Sequence, residues 1–417
     1  MLPKMPAHLP AAQRIFDLMR PAVLFIMITV MIDAMGIGLM MPVMPDLIRE
    51  VRGLALSDAA LWGGVMATSF AVMQFLFGPT LGGLSDRYGR RPVLLTSLVV
   101  MAIDYVVMAL AGSIWLLLVG RIVGGITAAT HATATAYMAD ISAPEDRTKN
   151  FGLIGAGFGI GFVLGPLVGG LLAEYGTRAP FWAAAGLATA NVVLGWFVLK
   201  ETVTDATRRP FEWLRANPFG ALRQLGKLPG VLPLVAVYFL YHVAFAVYPS
   251  VWSYFGQERF AWSASVIGLS LALFGVAMAV VQGGAIRLLV DRFGERGTVN
   301  LGFVFAIASY GAIGVITSGT LALILTPIAA IGGVIPPALQ GVMSRRVAAN
   351  AQGELQGALT STTALAMILS PLAMTASFSE FTKAGTGFYL PGAPFLLAMA
   401  LSIIGLAIFV FSPRNTT

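Results

Sequence analysis

No cysteine occurs among the 417 residues, which excludes disulfides, thiol nucleophiles and thiolate metal sites. Histidine is nearly as scarce: His8, His131 and His242 are the full set, and no two stand at metal-ligand spacing. Charge is the third shortage, with Asp, Glu, Lys and Arg making up 11% of the chain against roughly 25% in soluble domains. No nucleophile–base constellation, metal cluster or soluble domain can be read, so an enzyme and a resident cofactor are both excluded as expectations.

What is abundant is apolar. Hydrophobic residues form 57% of the chain and mean hydropathy is +0.83. A soluble core of this size could not hide so much apolar surface, so the lipid bilayer must be the solvent. The net charge of +7 comes from basic residues scattered through short loops. That placement fits membrane topology and not a nucleic-acid-binding face. Lys4, Arg14 and Arg20 precede the first apolar run as in a signal peptide, but no small-residue cleavage site follows. The run continues through Asp33 to about Met44 and reads as a retained first helix.

Twelve apolar stretches are expected to cross the membrane: 22–44, 59–81, 92–112, 115–138, 150–172, 180–200, 231–255, 264–289, 297–318, 320–343, 353–376 and 393–413. Each is near the ~20 residues that a helix needs to cross ~30 Å of hydrocarbon. Helix is the open-chain way to satisfy backbone amides in lipid. The fold class is therefore all-α integral membrane, with twelve transmembrane helices in two six-helix, pseudo-symmetric halves. The expected divisions are an N-terminal segment 1–21, a first half 22–200, a linker 201–230, a second half 231–413 and a tail 414–417. Phe211, Trp213 and Leu214 suggest that part of the linker lies on the membrane surface.

With the N-terminus inside, twenty of the 26 Lys and Arg fall on inner segments. Five fall outside (Arg49, Arg52, Arg178, Arg259 and Lys383), and Arg121 is intramembrane. The balance predicts both termini in the cytoplasm.

Between the second and third stretches runs Gly82-Gly83-Leu84-Ser85-Asp86-Arg87-Tyr88-Gly89-Arg90-Arg91-Pro92, and a fainter copy, Val290-Asp291-Arg292-Phe293-Gly294-Glu295-Arg296, returns 205 positions later. Two homologous membrane halves, each with a charged hinge, follow from that repeat, and secondary transporters are commonly built so. The glycines permit a tight turn. Asp86 could meet a neighbouring helix's N-terminal amides, and Arg90 or Arg91 the carbonyls at a C-terminus, so that Gly82, Asp86, Arg87, Gly89, Arg90 and Arg91 form a gate latch.

Three charges are expected inside the membrane. Asp33 lies about 11 residues into the first helix, ~17 Å deep; Asp104 lies about 12 residues into the third, and Arg121 roughly two turns into the fourth. A charge at the centre costs at least ~2.5–3.5 kcal/mol on insertion scales, so each faces a wet cavity or a partner. Asp33 reads as a proton carrier, with a structural Asp–Arg pair as the alternative. Asp104 leans towards structure, and Arg121 is open.

The fifth stretch carries Gly152, Gly161, Gly165, Pro166, Gly169 and Gly170. Four-residue glycine spacing makes a flat face for close helix approach, and proline bends the helix. Candidate substrate contacts are Gln74, His131, Tyr241, His242, Met278, Gln282 and Gln340. The histidines lean towards neutral, hydrogen-bonded interior groups, with a substrate contact or second protonation site as the alternative, and interhelical hydrogen bonding accounts for the amides. The helix 7 aromatics (Tyr238, Phe239, Tyr241, Phe245, Tyr248, Trp252) either line a pocket for flat ligands or face lipid.

The loop at 82–91 resembles the signature of the major facilitator superfamily, and the fifth-helix pattern resembles that of its antiporters. More narrowly, the chain resembles the tetracycline-efflux branch of the drug:proton antiporters. The residues behind this are Asp33-Ala34-Met35-Gly36-Ile37-Gly38-Leu39-Met40-Met41-Pro42-Val43-Met44-Pro45, the run Ser85 to Leu95 and Gly120-Arg121-Ile122-Val123-Gly124-Gly125-Ile126-Thr127. In the second half they are Pro337-Ala338-Leu339-Gln340, Ser344-Arg345 and Gln352-Gly353-Glu354-Leu355-Gln356-Gly357.

The resemblance implies the major facilitator fold. It also implies that Asp33, Asp104 and Arg121 couple protons to transport and that the Asp86 loop gates it. The second half departs from the tetracycline-exporter pattern. Met278 stands where a histidine precedes Gln282 by four, Ala306 where the ninth helix carries an Asp, and His242 and Ala246 where the seventh carries glutamines. The function implied is proton-coupled export of a small amphipathic compound such as a tetracycline. The setting is a bacterial inner membrane, the protein a monomer, and the proton gradient the energy source. In the implied cycle Asp33 takes a proton from outside and loosens its tie to Arg121. A proton-linked importer of a metabolite shares the fold, although the fifth helix speaks against it. A non-transporting membrane receptor is the remaining alternative.

Overall fold

The architecture is that of a computed structural model, which describes residues 21–128, 130–211, 230–385 and 387–413. Segment 1–20, Trp213 and Leu214 of the linker, and tail 414–417 lie outside the described residues. Every regular element described is helical, as lipid demands of an open chain.

The first half holds span 1 (Pro21–Met40), span 2 (Leu56–Tyr88), span 3 (Arg90–Leu110), span 4 (Ile114–Thr127 with Thr130–Ile141), span 5 (Arg147–Leu172) and span 6 (Ala179–Val198). A short helix, Met44–Arg52, follows span 1. In the second half, span 7 is Leu232–Phe245 with Val247–Phe260, and span 8 begins at Ala264–Val280. Span 10 is Gly319–Ala329 with Ile335–Ser344, span 11 is Gln352–Thr382 and span 12 is Ala393–Phe411. Residues Ala264–Val315 form one apolar helical stretch of 52 residues, more than twice what a crossing needs. Gly294, at φ 67° and ψ 172°, breaks it. The stretch divides there into spans 8 and 9, which brings the spans among the described residues to twelve.

The charged segment between spans 2 and 3 is shorter than the sequence suggests. Span 2 stays helical through Gly82 and Gly83 to Tyr88, and Gly89 alone (φ 114°, ψ 150°) makes the turn. Backbone in that region is open essentially to glycine only. The expectation of a loop across Gly82–Arg91 is corrected accordingly. Two glycines with a helical backbone hydrogen-bond like any other residues, and only the third sits where a side chain is forbidden.

The offset of 205 that joins the two hinges also relates the interruptions of the spans. The turn at Met41–Val43 corresponds to Ala246, where span 7 is interrupted. Ala128, the break in span 4, corresponds to Gly333 within the 3-10 turn Ala330–Val334 of span 10. Pro166 inside span 5 corresponds to Pro371 inside span 11. Discontinuous helices near the membrane midplane are how transporter folds expose backbone groups to a cavity.

Span 5 lies on span 1 through bare Cα atoms. A Cβ at Gly157 would stand 2.7 Å from the Met27 carbonyl, and one at Gly165 2.6 Å from that of Met35. Gly161 and Gly169 meet the carbonyls of Met31 and Leu39 more closely still. The opposite side of span 5 reaches the second half. A Cβ on Gly170 would meet the Ala264 carbonyl at 2.6 Å, and Gly268 lies on the Pro166 carbonyl. Gly152 has open space around it, so it takes no part in either contact, while Gly157 belongs to the row.

At the end of the bundle away from the Gly89 hinge, hydrogen bonds join the halves. Ser253 donates to the Met41 carbonyl at 2.7 Å, Gln257 to Asp46 at 3.0 Å and Ser265 to Glu174 at 2.7 Å. This seam, remote from the hinge, is closed.

Candidate functional site

Arg121 of span 4 and Asp104 of span 3 form a direct ion pair, with residue exposures of 8% and 3%. The sequence allows the approach because glycines flank the arginine. A Cβ at position 120 would stand 2.6 Å from Asp104 Oδ1, and one at 124 would stand 3.0 Å from Oδ2. The guanidinium also lies over the Phe70 ring of span 2, 5.5 Å from its centroid, a favourable arrangement for a desolvated cation. A buried pair of this kind specifies which helices meet more than it adds net stability. Removing one partner strands the other charge.

This geometry corrects the expected tie between Asp33 and Arg121. The arginine is taken by Asp104, and Asp33 enters no ion pair among the described residues. Asp33 Oδ1 is buried without a hydrogen-bond partner. Asp33 shares a face of span 1 with Gly36, one turn on, and the Tyr105 hydroxyl rests on Gly36. Asp33, Asp104, Tyr105 and Arg121 thus form one polar cluster where spans 1, 3 and 4 meet. Tyr105 was not legible as a member of it.

A cavity of about 600 Å³ lies between the halves, in the part of the bundle nearer the Gly89 hinge; its lining includes Ala71, the residue after the Phe70 on which Arg121 rests. Its polar wall includes Gln74 and His131 from the first half and Tyr238, Gln340 and Gln356 from the second. Gln74 donates to the Ala128 carbonyl at 3.4 Å, at the C-terminal cap of the first helix of span 4. Gln340 donates to the Tyr238 hydroxyl at 3.1 Å. Of the candidate substrate contacts, Gln74, His131 and Gln340 line this space.

Four others, Tyr241, His242, Met278 and Gln282, are not part of this lining. Tyr241 is buried at 3% exposure. The His242 ring is tilted on Tyr238 with its Nδ1 2.8 Å from the Tyr238 carbonyl. Met278 reaches Gly333, and Gln282 lies in a π-helical turn facing the same glycine. Ala306 contacts Gly332. The helix 7 aromatics belong mainly to the second half's core: Tyr248 contacts Phe245, Trp252, Phe274, Tyr310 and Phe395. Tyr238 lines the wall, one of the two readings open for the helix 7 aromatics, while Gln356 was missed because its neighbours across the chain set which way it faces.

The hinge is held by a network. Arg90 pairs with Asp86, and with Asp140 of span 4 at 3.1 Å. The first amides of span 3, those of Arg90 and Arg91, donate to the Glu201 carboxylate at 2.9 and 3.3 Å. That acid completes the helix N-terminus, where negative charge is favoured. Arg91 donates to the Trp196 carbonyl at 2.9 Å near the end of span 6. The arginine thus meets C-terminal carbonyls, whereas the acid on a helix N-terminus is Glu201 and not Asp86. Arg87 stands over the Tyr88 ring at 5.1 Å.

The second hinge repeats the pattern: Arg292 stands over Phe293, Arg296 donates to the Phe409 carbonyl of span 12 at 3.0 Å, and Glu295 pairs with Arg345. Arg90 and Glu295 are 205 apart, as are Asp140 and Arg345, so the second half keeps this bridge with its charges exchanged.

On the seam remote from the hinge, burial raises Asp46 above the usual carboxylate range, partly offset by the Gln257 hydrogen bond and by Arg49. Tyr389, in the loop before span 12, is pushed up to about 12 by burial and by its hydrogen bond to Glu258. Among the described residues no three His, Asp or Glu side chains converge to hold a metal ion.

The sequence profile described as the Major Facilitator Superfamily matches residues 26–371. The chain is similar to the tetracycline resistance protein, class C, of Escherichia coli, with 42% identity over 366 residues covering 88% of this chain and 92% of that one. It is 40% identical over 372 residues to the class G protein of Vibrio anguillarum, covering 89% and 93%. Among solved structures, the human organic anion transporter MFSD10 superposes with a TM-score of 0.68 at 25% identity, over 94% of this chain and 99% of that one.

Proposed function

The chain belongs to the major facilitator superfamily, and from that premise we propose that it exports a small amphipathic drug, with tetracycline as first candidate, in exchange for protons. The observation that carries this reading is the 42% identity to a tetracycline resistance protein across 88% of the chain. The site supports it physically. Asp33, an acid that enters no ion pair among the described residues, stands near mid-membrane beside a buried Asp104–Arg121 pair, and intramembrane acids mark proton paths. The neighbouring cavity carries amides, a histidine and a phenol, groups that orient a flat, polar-edged ligand.

The departures at His242, Met278 and Ala306 are not among the residues that line this cavity, which supports a tetracycline-sized ligand keeping its wall contacts. The setting is a bacterial inner membrane, and the balance of twenty basic residues inside against five outside puts both termini in the cytoplasm. With the outer seam closed and the cavity near the hinge, the arrangement is then the inward-facing one of an alternating-access cycle. One chain supplies both walls of the cavity, which supports a monomer, and the proton gradient serves as the energy source without a cofactor.

The test is proton movement in liposomes holding the purified protein, on addition of tetracycline or of unrelated amphipathic cations and acids. The expected result is proton flux opposite to tetracycline flux. Flux of drug and proton in the same direction would make the protein an importer. Binding without any flux would make it a receptor.

A further inference from the structure

The Tyr105 side chain is 2% exposed, yet its hydroxyl has no hydrogen-bond partner among the described residues. A buried phenol ordinarily finds one. Two more buried oxygens nearby share that condition, Asp33 Oδ1 on span 1 and Asp104 Oδ1 on span 3. The hydroxyl stands on Gly36, one helical turn from Asp33, and a Cβ there would be 2.9 Å from the phenol carbon. Asp33, Asp104 and Arg121 are the charged members of its cluster. Those three are the charged groups that face it from spans 1, 3 and 4. Span 5, packed on the other side of span 1, adds none, since its contact row is glycine.

We propose that the Tyr105 hydroxyl is a positioning residue that reports the protonation state of Asp33 to the Asp104–Arg121 pair. The inference rests on the antiport reading above. A phenol has one proton to donate. While Asp33 is ionised its carboxylate is the better acceptor, because hydrogen bonds to a charged acceptor are the stronger ones. Once Asp33 is protonated, the hydroxyl turns to Asp104 Oδ1, shares that carboxylate with Arg121 and weakens the hold between spans 3 and 4. No covalent bond changes; a single donor moves between two acceptors.

The test is Tyr105→Phe in liposomes, read in two assays. The first is tetracycline exchange with equal pH on both sides; the second is proton-driven export as a function of pH. The variant loses a hydroxyl that has no protein partner, so folding is expected to hold. Exchange should stay within about twofold of the parent. Proton-driven export should fall about tenfold, with its half-maximal pH about one unit higher, since an ionised Asp33 has lost its donor. In an Asp33→Asn background, Tyr105→Phe should leave the pH profile of exchange unchanged. An unaltered export profile in Tyr105→Phe would overturn the proposal, and so would equal loss of exchange and export, which is the mark of a merely structural role. Absence of drug-driven proton flux in the parent protein would instead overturn the antiport reading itself.

Discussion

Where the first half buries Asp104 against Arg121, the second half carries Ser309 and Thr326, each 205 positions on, both buried and both neutral. The counterpart of Asp33 is Tyr238, whose hydroxyl accepts from Gln340 in the cavity wall. Tyr105 is answered by Tyr310, Pro166 by Pro371 and Gly89 by Gly294. Backbone devices are thus duplicated while membrane-embedded charge is confined to one copy. Proline, glycine and helix breaks fix how a half bends, and both halves must bend alike to rock about one cavity. Charge in lipid is expensive, so a duplicated fold retains it only in the half that uses it.

The comparison breaks most sharply at the ion pair. Arg121→Ala leaves Asp104 buried without its counter-ion and is expected to cost about 3–5 kcal/mol, whereas Thr326→Ala is expected to cost about 1 kcal/mol or less. Thermal unfolding in detergent measures both. Similar losses would mean that the first half is not specially built around its charges.

A smaller contrast lies at the hinges. Both glycines hold a backbone that side chains avoid, so alanine at either is expected to cost about 1–3 kcal/mol. At Gly89 the new Cβ would also strike the Glu201 carboxylate that completes span 3, while at Gly294 it meets open space. Gly89→Ala is therefore expected at the upper end of that range and Gly294→Ala at the lower. The reverse order would place the stiffer hinge in the second half.

The twelve spans and the paired hinges were legible because length and hydropathy are set by the bilayer, which is the same for every sequence. The glycine row of span 5 was legible too, apart from Gly152 and Gly157, whose spacing alone does not say which face meets span 1. Contacts between spans were harder to read. Three charges were visible, but a single chain pattern does not say that Gly120 and Gly124 clear the way for Asp104 to reach Arg121. Asp33 is left without that partner for the same reason. Glu201, 111 positions beyond Arg90, looked like linker charge. Only tertiary packing brings it to the first amides of span 3.

The smallest expected effect is at the outer seam, where Asp46 answers to Val251 and only the first half titrates. Burial in the closed seam raises Asp46; opening would return it to the ordinary carboxylate value. The closed form therefore binds the proton more tightly. Falling external pH favours closure, and rising pH through the Asp46 range favours opening. The chain has no native cysteine, so the labelling rate of Ser253→Cys reads seam opening directly. It should rise with external pH, and Asp46→Asn should flatten the profile.

The division of labour between the halves is tested most directly by counting protons moved per drug exported, in liposomes, for Asp33→Asn and for Gln340→Ala. The account predicts that Asp33→Asn abolishes proton movement while drug binding persists, export falling about 100-fold or more. Gln340→Ala should weaken drug binding and leave the ratio of protons to drug unchanged. A ratio altered by Gln340→Ala and preserved in Asp33→Asn would contradict the account.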